Sequence, residues 1–180
     1  MLNDKTLRKL WHKMFERSYN KKSLENNPTY TGCSVSLNFS DYQYFKDWCV
    51  NQTGFNSVDL RGNVFHLDKD ILVKGNKVYS EATCCFVPKE INGFYTKANK
   101  IRGLFAIGVY FDKSSQKFIA GLSIEGKYKI LGQYDNEWSA FIAYKQAKEN
   151  RAKELAEKWR GQVDNRVYEK LINYKVLLTD

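Results

Sequence analysis

The chain has 180 residues, a formal net charge of +9 at pH 7 and 15% aromatic residues. This length supports one or two small domains, and the basic charge argues against a mimic of nucleic acid, which needs an acidic surface. No apolar run approaches the roughly 20 residues of a membrane span. The segment before Met14 is charged from its fourth residue and lacks the apolar region of a secretory signal. We therefore expect a cytoplasmic protein that does not cross a membrane.

Positive charge is concentrated in two stretches. Residues 1–22 carry seven Lys and Arg residues against two acidic residues, and residues 97–133 carry the same numbers. Clustered cations interleaved with aromatic residues favour a polyanionic partner, because phosphate contacts release condensed counterions. The composition thus favours a nucleic acid partner over a basic surface that serves only solubility.

The four cysteines, Cys33, Cys49, Cys84 and Cys85, include no C-x-x-C pair. Such pairs are typical of zinc sites built from four cysteines. Cys84 and Cys85 are adjacent and would point to opposite faces of a strand. We therefore predict buried, reduced thiols rather than a zinc site.

The first part of the chain shows two helical patterns. The first has an apolar face at helical spacing, made of Leu7, Leu10, Trp11, Met14 and Phe15. The polar residues 19–31 predict a loop, and a short strand is expected at 34–37. The sequence Ser40-Asp41-Tyr42-Gln43 has the form of a capping box and predicts the start of a second helix. We assign the apolar stripe of this helix to the core: Tyr42, Phe45, Trp48 and Cys49.

Residues 66–92 combine acid–base side chains with turn signals. The sequence His66-Leu67-Asp68-Lys69-Asp70 closes a predicted strand, and Gly75-Asn76 supplies a loop. A turn, a short Cys-rich strand and a Pro-led segment ending at Asn92 follow. This order of strand, loop, strand and helix, with polar groups at both ends, is the pattern of a ββα metal finger. Such a finger holds one divalent cation against a phosphodiester.

The second half begins after a predicted linker at 93–100. Strand-like segments follow at 104–111, 117–124 and 127–131, with turn signals between them. The middle segment alternates an apolar face with a second face that consists of Lys117, Ile119, Gly121 and Ser123. A long Ala-rich helix, capped by Asp135, should pack on these strands and stop at Gly161. Asp164-Asn165 is expected to begin a last short helix.

Several motifs occur in order in this half: Gly108-Val109-Tyr110, Lys117-Phe118-Ile119-Ala120, Leu131-Gly132-Gln133-Tyr134, Ala140, and Ala143-Tyr144 with Ala147. They resemble the DNA-binding domain of plant ethylene-response factors, the APETALA-two type. The resemblance implies a three-stranded sheet in the major groove of DNA, with these candidate contacts: Tyr110, Lys113, Lys117, Ser123, Lys127 and Lys129. Tyr110 replaces the family's arginine, so the plant sequence preference does not carry over. The lysines fit phosphate contacts better than base reading.

The first half also has ordered motifs: Trp11-x-x-Met14-x-x-Arg17 with Tyr19, Pro28-x-Tyr30, Val35, Phe45-x-x-Trp48, Leu67-Asp68-Lys69-Asp70, Gly75-Asn76, Tyr79-Ser80, Cys84-Cys85 with Phe86-Val87-Pro88, and Ile91-Asn92. Over residues 7–95 they resemble phage HNH-type endonucleases and their homing relatives. In that family an Asp binds the metal, the adjacent His is the general base, and an Asn or His on the helix completes the metal site. The resemblance implies Mg2+ or another divalent cation as cofactor, and the cytoplasm of a host cell as the location.

Two registers align the chain with this family. In the first, Asp68 and Asn92 hold the metal, Thr83 braces the loop and Lys69 stands at the position of the base. A lysine with its ordinary pKa of about 10.4 is a poor base unless burial lowers that pKa. In the second, His66 is the base and would share a strand face with two carboxylates, Asp68 and Asp70, but Phe65 stands where the family has its metal-binding Asp.

The sequence therefore predicts an α+β protein. It would contain N-terminal helices with a ββα, HNH-like finger, then a three-stranded antiparallel sheet packed on a long helix. The predicted modules are an endonuclease-like module at 1–97, an ethylene-response-factor-like module at 98–161, and a C-terminal helix and tail at 162–180. The predicted function is metal-dependent hydrolysis of double-stranded DNA. The alternative is a catalytically inactive DNA-binding protein derived from such an endonuclease, acting as a regulator or as a host-takeover or counter-defence factor. The sequence makes no prediction of oligomeric state.

Overall fold

The computed structural model describes residues 4–96, 104–124 and 126–178. The chain divides into two compact units. Met1–Asn92 and Arg160–Val167 belong to the first unit, and Gly93–Trp159 and Tyr168–Asp180 belong to the second. Helices and small sheets occur together, which confirms the predicted α+β class.

The helices at the start of the first unit agree only in part with expectation. Helix α1, Asp4–Tyr19, confirms the first predicted helix and buries Leu7 and Met14. The loop predicted at 19–31 is wrong, because helix α2, Lys21–Asn26, and a 3-10 turn at Pro28–Tyr30 lie there. Helix α2 begins because the Asn20 side chain accepts a hydrogen bond from the amide of Ser23 at 2.9 Å.

A short strand and two capped helices follow. Strand β1 covers only Ser34–Val35. Helix α3, Leu37–Ser40, begins beyond it and was not predicted; Ser36 caps it. Helix α4, Tyr42–Val50, confirms the second predicted helix. Its N-cap is Asp41 rather than the Ser40 of a capping box, since the Asp41 carboxylate accepts from the amide of Tyr44 at 2.9 Å.

Aromatic rings fill the core of the first unit. Phe39 and Phe45 are fully buried, with ring centroids 5.2 Å apart. Trp48 packs 4.8 Å from Phe39, and the Trp11 indole donates to the Phe39 carbonyl at 2.8 Å. These contacts confirm the assignment of the stripe on α4 to the core. The four cysteines are likewise buried and free, as predicted.

The strands of the first unit form two small sheets. Strand β2, His66–Asp68, runs antiparallel to β4, Cys85–Val87, with His66 opposite Val87 and Asp68 opposite Cys85. Strand β3, Val78–Tyr79, pairs in parallel with β1. Helix α5, Lys89–Tyr95, follows β4 after a single proline. Part of the expected linker is therefore helical, and its residues 97–100 lie outside the described residues.

The second unit contains the predicted three-stranded antiparallel sheet. Its strands are β5, Val109–Asp112, β6, Lys117–Ile124, and β7, Lys127–Tyr134, with β6 in the centre. The first strand is shorter than predicted, since bends and a turn occupy 104–108. Gly108, at φ +76°, ends that turn, and a side chain there would overlap the Tyr144 ring.

Helix α6, Glu137–Lys158, packs on one face of this sheet. The core between them consists of Val109, Ala120, Leu122, Ala140, Phe141, Tyr144 and Val176. The predicted cap is wrong by one residue. Asn136 accepts from the amide of Ser139 at 2.8 Å, whereas Asp135 forms an ion pair with Lys117. Helix α7, Asn165–Ile172, is the predicted last helix. None of the described helices combines the length and apolarity needed to cross a bilayer.

Candidate functional site

His66 and Asn92 meet where strand β2 approaches helix α5. The pairing of β2 with β4 sets His66 opposite Val87, two residues before the helix begins. The side-chain nitrogen of Asn92 lies 3.4 Å from Nδ1 of His66. The structure thus brings together His66, the candidate base of the second register, and Asn92, the candidate helical ligand of the first.

Three cations influence the ionisation of His66. Burial lowers the pKa of His66, and the charges of Lys89 and Arg17 lower it further; Asp59 opposes them, and Lys13 adds the smallest effect. An imidazole with a lowered pKa is neutral at pH 7 and can accept a proton. Cations at such a site can also bind a phosphate. The three cations were not among the predicted site residues; Arg17 in the Trp11-x-x-Met14-x-x-Arg17 motif was the one sequence signal.

Arg17 links helix α1 to this site. Its guanidinium lies 5.2 Å from the centroid of the Tyr30 ring. Burial alone would lower the pKa of Arg17. The interactions with Tyr30, Tyr79 and Asp68 are together larger and raise this pKa above its ordinary value. Arg17 is therefore a fixed cation held by aromatic and acidic neighbours.

Asp68 closes the turn after β2. Its Oδ1 accepts hydrogen bonds from the amides of Asp70 and Ile71, each at 2.9 Å. Burial and the neighbouring Asp70 carboxyl raise the pKa of Asp68 to about 6. The charged form of Asp68 is thus disfavoured by its surroundings, and a nearby cation would stabilise it.

Lys69, the candidate base of the first register, forms its hydrogen bonds within the loop that follows β2. Its side chain is buried, and its ammonium donates to Asp70 at 3.1 Å and to the Asn76 carbonyl at 3.3 Å. The same ammonium lies 5.8 Å from the Tyr79 ring and 5.9 Å from the Tyr30 ring. These contacts suit a residue that supports the loop between β2 and β3.

Two polar residues brace that loop. The side-chain amide of Asn76 donates to the backbone carbonyls of Lys69 at 2.6 Å and Val78 at 2.8 Å. Thr83, expected to brace the loop in the first register, donates to the Val78 carbonyl at 2.7 Å. Asn76 therefore does more than form a turn beside Gly75, because it ties the two ends of the loop together.

Asp68 and Asn92 are the residues that the first register assigns to a divalent cation. Within the described parts of the chain, no group of three or more His, Cys, Asp or Glu side chains could hold a metal ion. Mg2+, however, commonly binds one or two carboxylates and takes its other ligands from water and substrate phosphates. The unfavourable environment of the Asp68 charge fits such a cation. A cation at these residues would therefore be shared with substrate rather than enclosed by the protein.

The predicted DNA contacts of the second unit divide between the two faces of its sheet. Side chains of residues paired across antiparallel strands point to the same face. Tyr110 pairs with Ile119, and Lys117 and Ser123 follow on the same side of β6 by alternation. These three predicted residues share the face opposite helix α6, which we call the outer face.

The remaining predicted contacts lie elsewhere. Lys127 pairs with Ile124, and Lys129 pairs with Leu122. Both Ile124 and Leu122 pack on the helix side of the sheet. Both lysines are exposed but belong to the helix side of β7. Lys113 is exposed in the turn after β5. The register instead places Tyr128 and Ile130 on the outer face, opposite Ser123 and Gly121.

Comparison with known proteins identifies no relative of the chain. No protein-family model matches the chain, and no curated protein or solved structure matches it significantly. The two family resemblances therefore rest on the sequence motifs, and the function must be argued from the geometry of the sites.

Proposed function

We propose that the protein binds DNA and that the site at His66 hydrolyses phosphodiesters with the help of a divalent cation. The observation that carries the proposal is the 3.4 Å approach of Asn92 to His66, at a position where Lys13, Arg17 and Lys89 act on the imidazole. A neutral base, oxygen ligands and fixed cations are what phosphodiester hydrolysis needs.

Each residue would have a distinct role. His66 would accept the proton of the attacking water at Nδ1, where the water would replace the Asn92 amide nitrogen as hydrogen-bond donor, and its lowered pKa keeps it neutral at pH 7. Asp68 and Asn92 would hold the cation, which when bound stabilises charge on the leaving oxygen. Arg17 would hold the phosphate, and the Tyr30 ring beside it fixes its position. Lys69 would be a positioning residue that maintains the loop.

A catalytically inactive DNA-binding protein is the second candidate, and one observation favours it. Phe65, which precedes His66, is buried and stands where the HNH family has its metal-binding Asp. In addition, two backbone amides already occupy Oδ1 of Asp68. A former catalytic site kept as a scaffold would look like this, and it would retain the basic surroundings that bind phosphate.

A plasmid assay with paired histidine variants separates the two candidates. Supercoiled DNA is incubated with Mg2+ or Mn2+ and wild-type protein, His66→Ala or His12→Ala. His12 is the matched control, since it is the second histidine of the chain and lies on helix α1. We expect cleavage by wild type and His12→Ala and its loss in His66→Ala. Absence of cleavage by wild type, with salt-dependent duplex binding retained, would instead establish the inactive protein.

A further inference from the structure

The outer face of the β5–β6–β7 sheet exposes large apolar side chains at its centre. Tyr110 is 43% exposed, and Tyr128 and Ile130 are each 56% exposed. Ile119 lies between them on the central strand and is only 2% exposed although it points to the same side. The neighbouring side chains therefore form a continuous apolar surface over Ile119.

Tyr128 lies across the sheet. A Cβ atom built on Gly121 would overlap the hydroxyl and ring of Tyr128, so the ring occupies the space that a side chain at Gly121 would fill. Tyr110 is close enough to add to the effect of burial in raising the pKa of Tyr128. The absence of a side chain at Gly121 thus places two phenol rings near each other on one exposed surface.

Lysines lie at both ends of the sheet. Lys113 lies in the turn between β5 and β6, and Lys117 begins β6 on the outer face, paired with Asp112 of β5. Lys127 and Lys129 lie at the start of the edge strand β7, exposed on the helix side. The eight-residue central strand separates the two pairs by about 25 Å. Lys117 is paired with Asp135, which is 83% exposed, and exposed pairs of this kind exchange readily for other anions. The four lysines can therefore supply cations for phosphates, with Asp112 as the acidic neighbour of Lys117 on the outer face.

The chemistry of the outer face favours stacking over the reading of base edges. Among its described residues there is no arginine, and Gln133 is the one side-chain amide. Arg, Asn and Gln supply most of the bidentate contacts to base edges in the major groove. Exposed aromatic rings with lysines nearby instead suit unpaired bases, because every base has a π-face.

We propose that the outer face binds single-stranded DNA, whose unpaired bases stack on Tyr110 and Tyr128 while its phosphates contact Lys113 and Lys117 at one end of the sheet. The choice of DNA over RNA rests on the proposed function. The proposal that bases stack on this face does not rest on that function. It follows from the exposed rings of Tyr110 and Tyr128 and from the space left by Gly121. A strand opened or displaced from a duplex would be its ligand.

The test is fluorescence anisotropy of labelled oligo(dT), oligo(rU) and a duplex of equal length, without divalent cation. Tyr110→Leu and Tyr128→Leu keep an apolar cover over Ile119 but remove the π-face. We expect the double variant to bind oligo(dT) about tenfold or more weakly, with little change for the duplex. Tyr128→Phe keeps the ring and should bind as wild type. Trp138→Ala, an exposed aromatic on helix α6, should also bind as wild type.

Three outcomes would overturn the proposal: unchanged oligo(dT) affinity in the double variant, an equal loss for oligo(dT) and duplex, or tighter binding of oligo(rU) than of oligo(dT). Circular dichroism of each variant shows whether the fold is retained. Plasmid cleavage is measured in parallel. Normal cleavage with unchanged oligo(dT) binding rejects stacking alone, whereas the expected binding loss without any cleavage by wild type rejects the nuclease alone.

Discussion

The His66 site and the outer face of the sheet present opposite kinds of surface. Around His66 the side chains are ionisable, and the pKa values of His66 and Asp68 are shifted by burial and by neighbouring charges. On the outer face the central side chains are apolar and exposed. Shifted ionisation indicates chemistry, whereas an exposed aromatic surface indicates a binding partner. The two regions therefore call for different tests.

The largest expected effect concerns the fixed cation of the first region. We predict that Arg17→Ala lowers the rate of plasmid cleavage by about 100-fold or more, because it removes charge stabilisation at the phosphate. Oligo(dT) binding by the outer face should not change. Arg8→Ala is the matched control on the same helix, since Arg8 pairs with Asp4 at 3.1 Å. Equal cleavage by the two variants would remove Arg17 from the site.

The pH dependence of cleavage identifies the base. The pKa of His66 lies below its usual value, so the neutral imidazole is lost only as the pH falls through that lowered pKa. We predict a rate that is level near pH 7 and falls about tenfold or more per pH unit at lower pH, because Asp68, whose pKa is about 6, must also be ionised to hold the cation. Initial rates across this range provide the measurement. A rate that keeps rising into the alkaline range would point to Lys69 instead.

The loop of the first region should depend on Asn76 for stability. Its side chain bonds the carbonyls of Lys69 and Val78, and Asn76→Ala leaves these groups without that partner. We predict a loss of about 1–3 kcal/mol in the free energy of unfolding, measured by urea denaturation. Asn51→Ala removes one exposed bond to the Asp47 carbonyl and should cost less. Equal losses would show that Asn76 has no special role.

The smallest effect is expected on the outer face. We predict that Gly121→Ala weakens oligo(dT) binding by a few fold, because a Cβ there displaces the Tyr128 ring. Plasmid cleavage should be unaffected. Gly126→Ala, in the turn between β6 and β7 where no atom lies within 4 Å of the added Cβ, is the control. Its φ of +78° makes a modest loss of stability the expected result there.

Elements with a clear apolar period could be predicted from the sequence. Helices α1 and α4, strand β6 and helix α6 each bury one face, and burial leaves a repeat that can be read directly. Helix α2 could not be found in this way, because none of its residues is buried. Its start is marked by the side-chain cap of Asn20, which leaves no apolar repeat.

The face of a lysine on β7 could not be predicted from its charge. The first four residues of this strand are all exposed, so charge does not show which face is covered by helix α6. Only the pairing of Lys129 with Leu122 and of Lys127 with Ile124 decides it. Tyr128, which the motifs did not single out, reaches the outer face by the same register.

The candidate catalytic residues were predictable as a set but not in their roles. The motif identified His66, Asp68, Lys69 and Asn92, yet two registers remained. Burial of Lys69 against Asp70 and Asn76 depends on a folded loop, and lysine is expected at the surface. The effect of Arg17 on His66 joins residues that are far apart in the sequence, which no local pattern can report.

Asp68→Asn tests the central claim most directly, because stability and activity should change in opposite directions. The pKa of Asp68 is raised to about 6 in the folded protein from 3.8. Its contribution to stability is therefore present below pH 3.8 and is lost as the pH rises through about 6. Asparagine keeps an oxygen for the amides of Asp70 and Ile71 and removes the charge.

The decisive measurement is thermal unfolding and plasmid cleavage of Asp68→Asn and wild type at pH 7, with Asp47→Asn as an exposed control. We predict a melting temperature a few degrees above wild type together with loss of cleavage. The gain in melting temperature should disappear near pH 4. A variant that melts lower than wild type, or that still cleaves DNA, would contradict the assignment of Asp68 to a catalytic metal site.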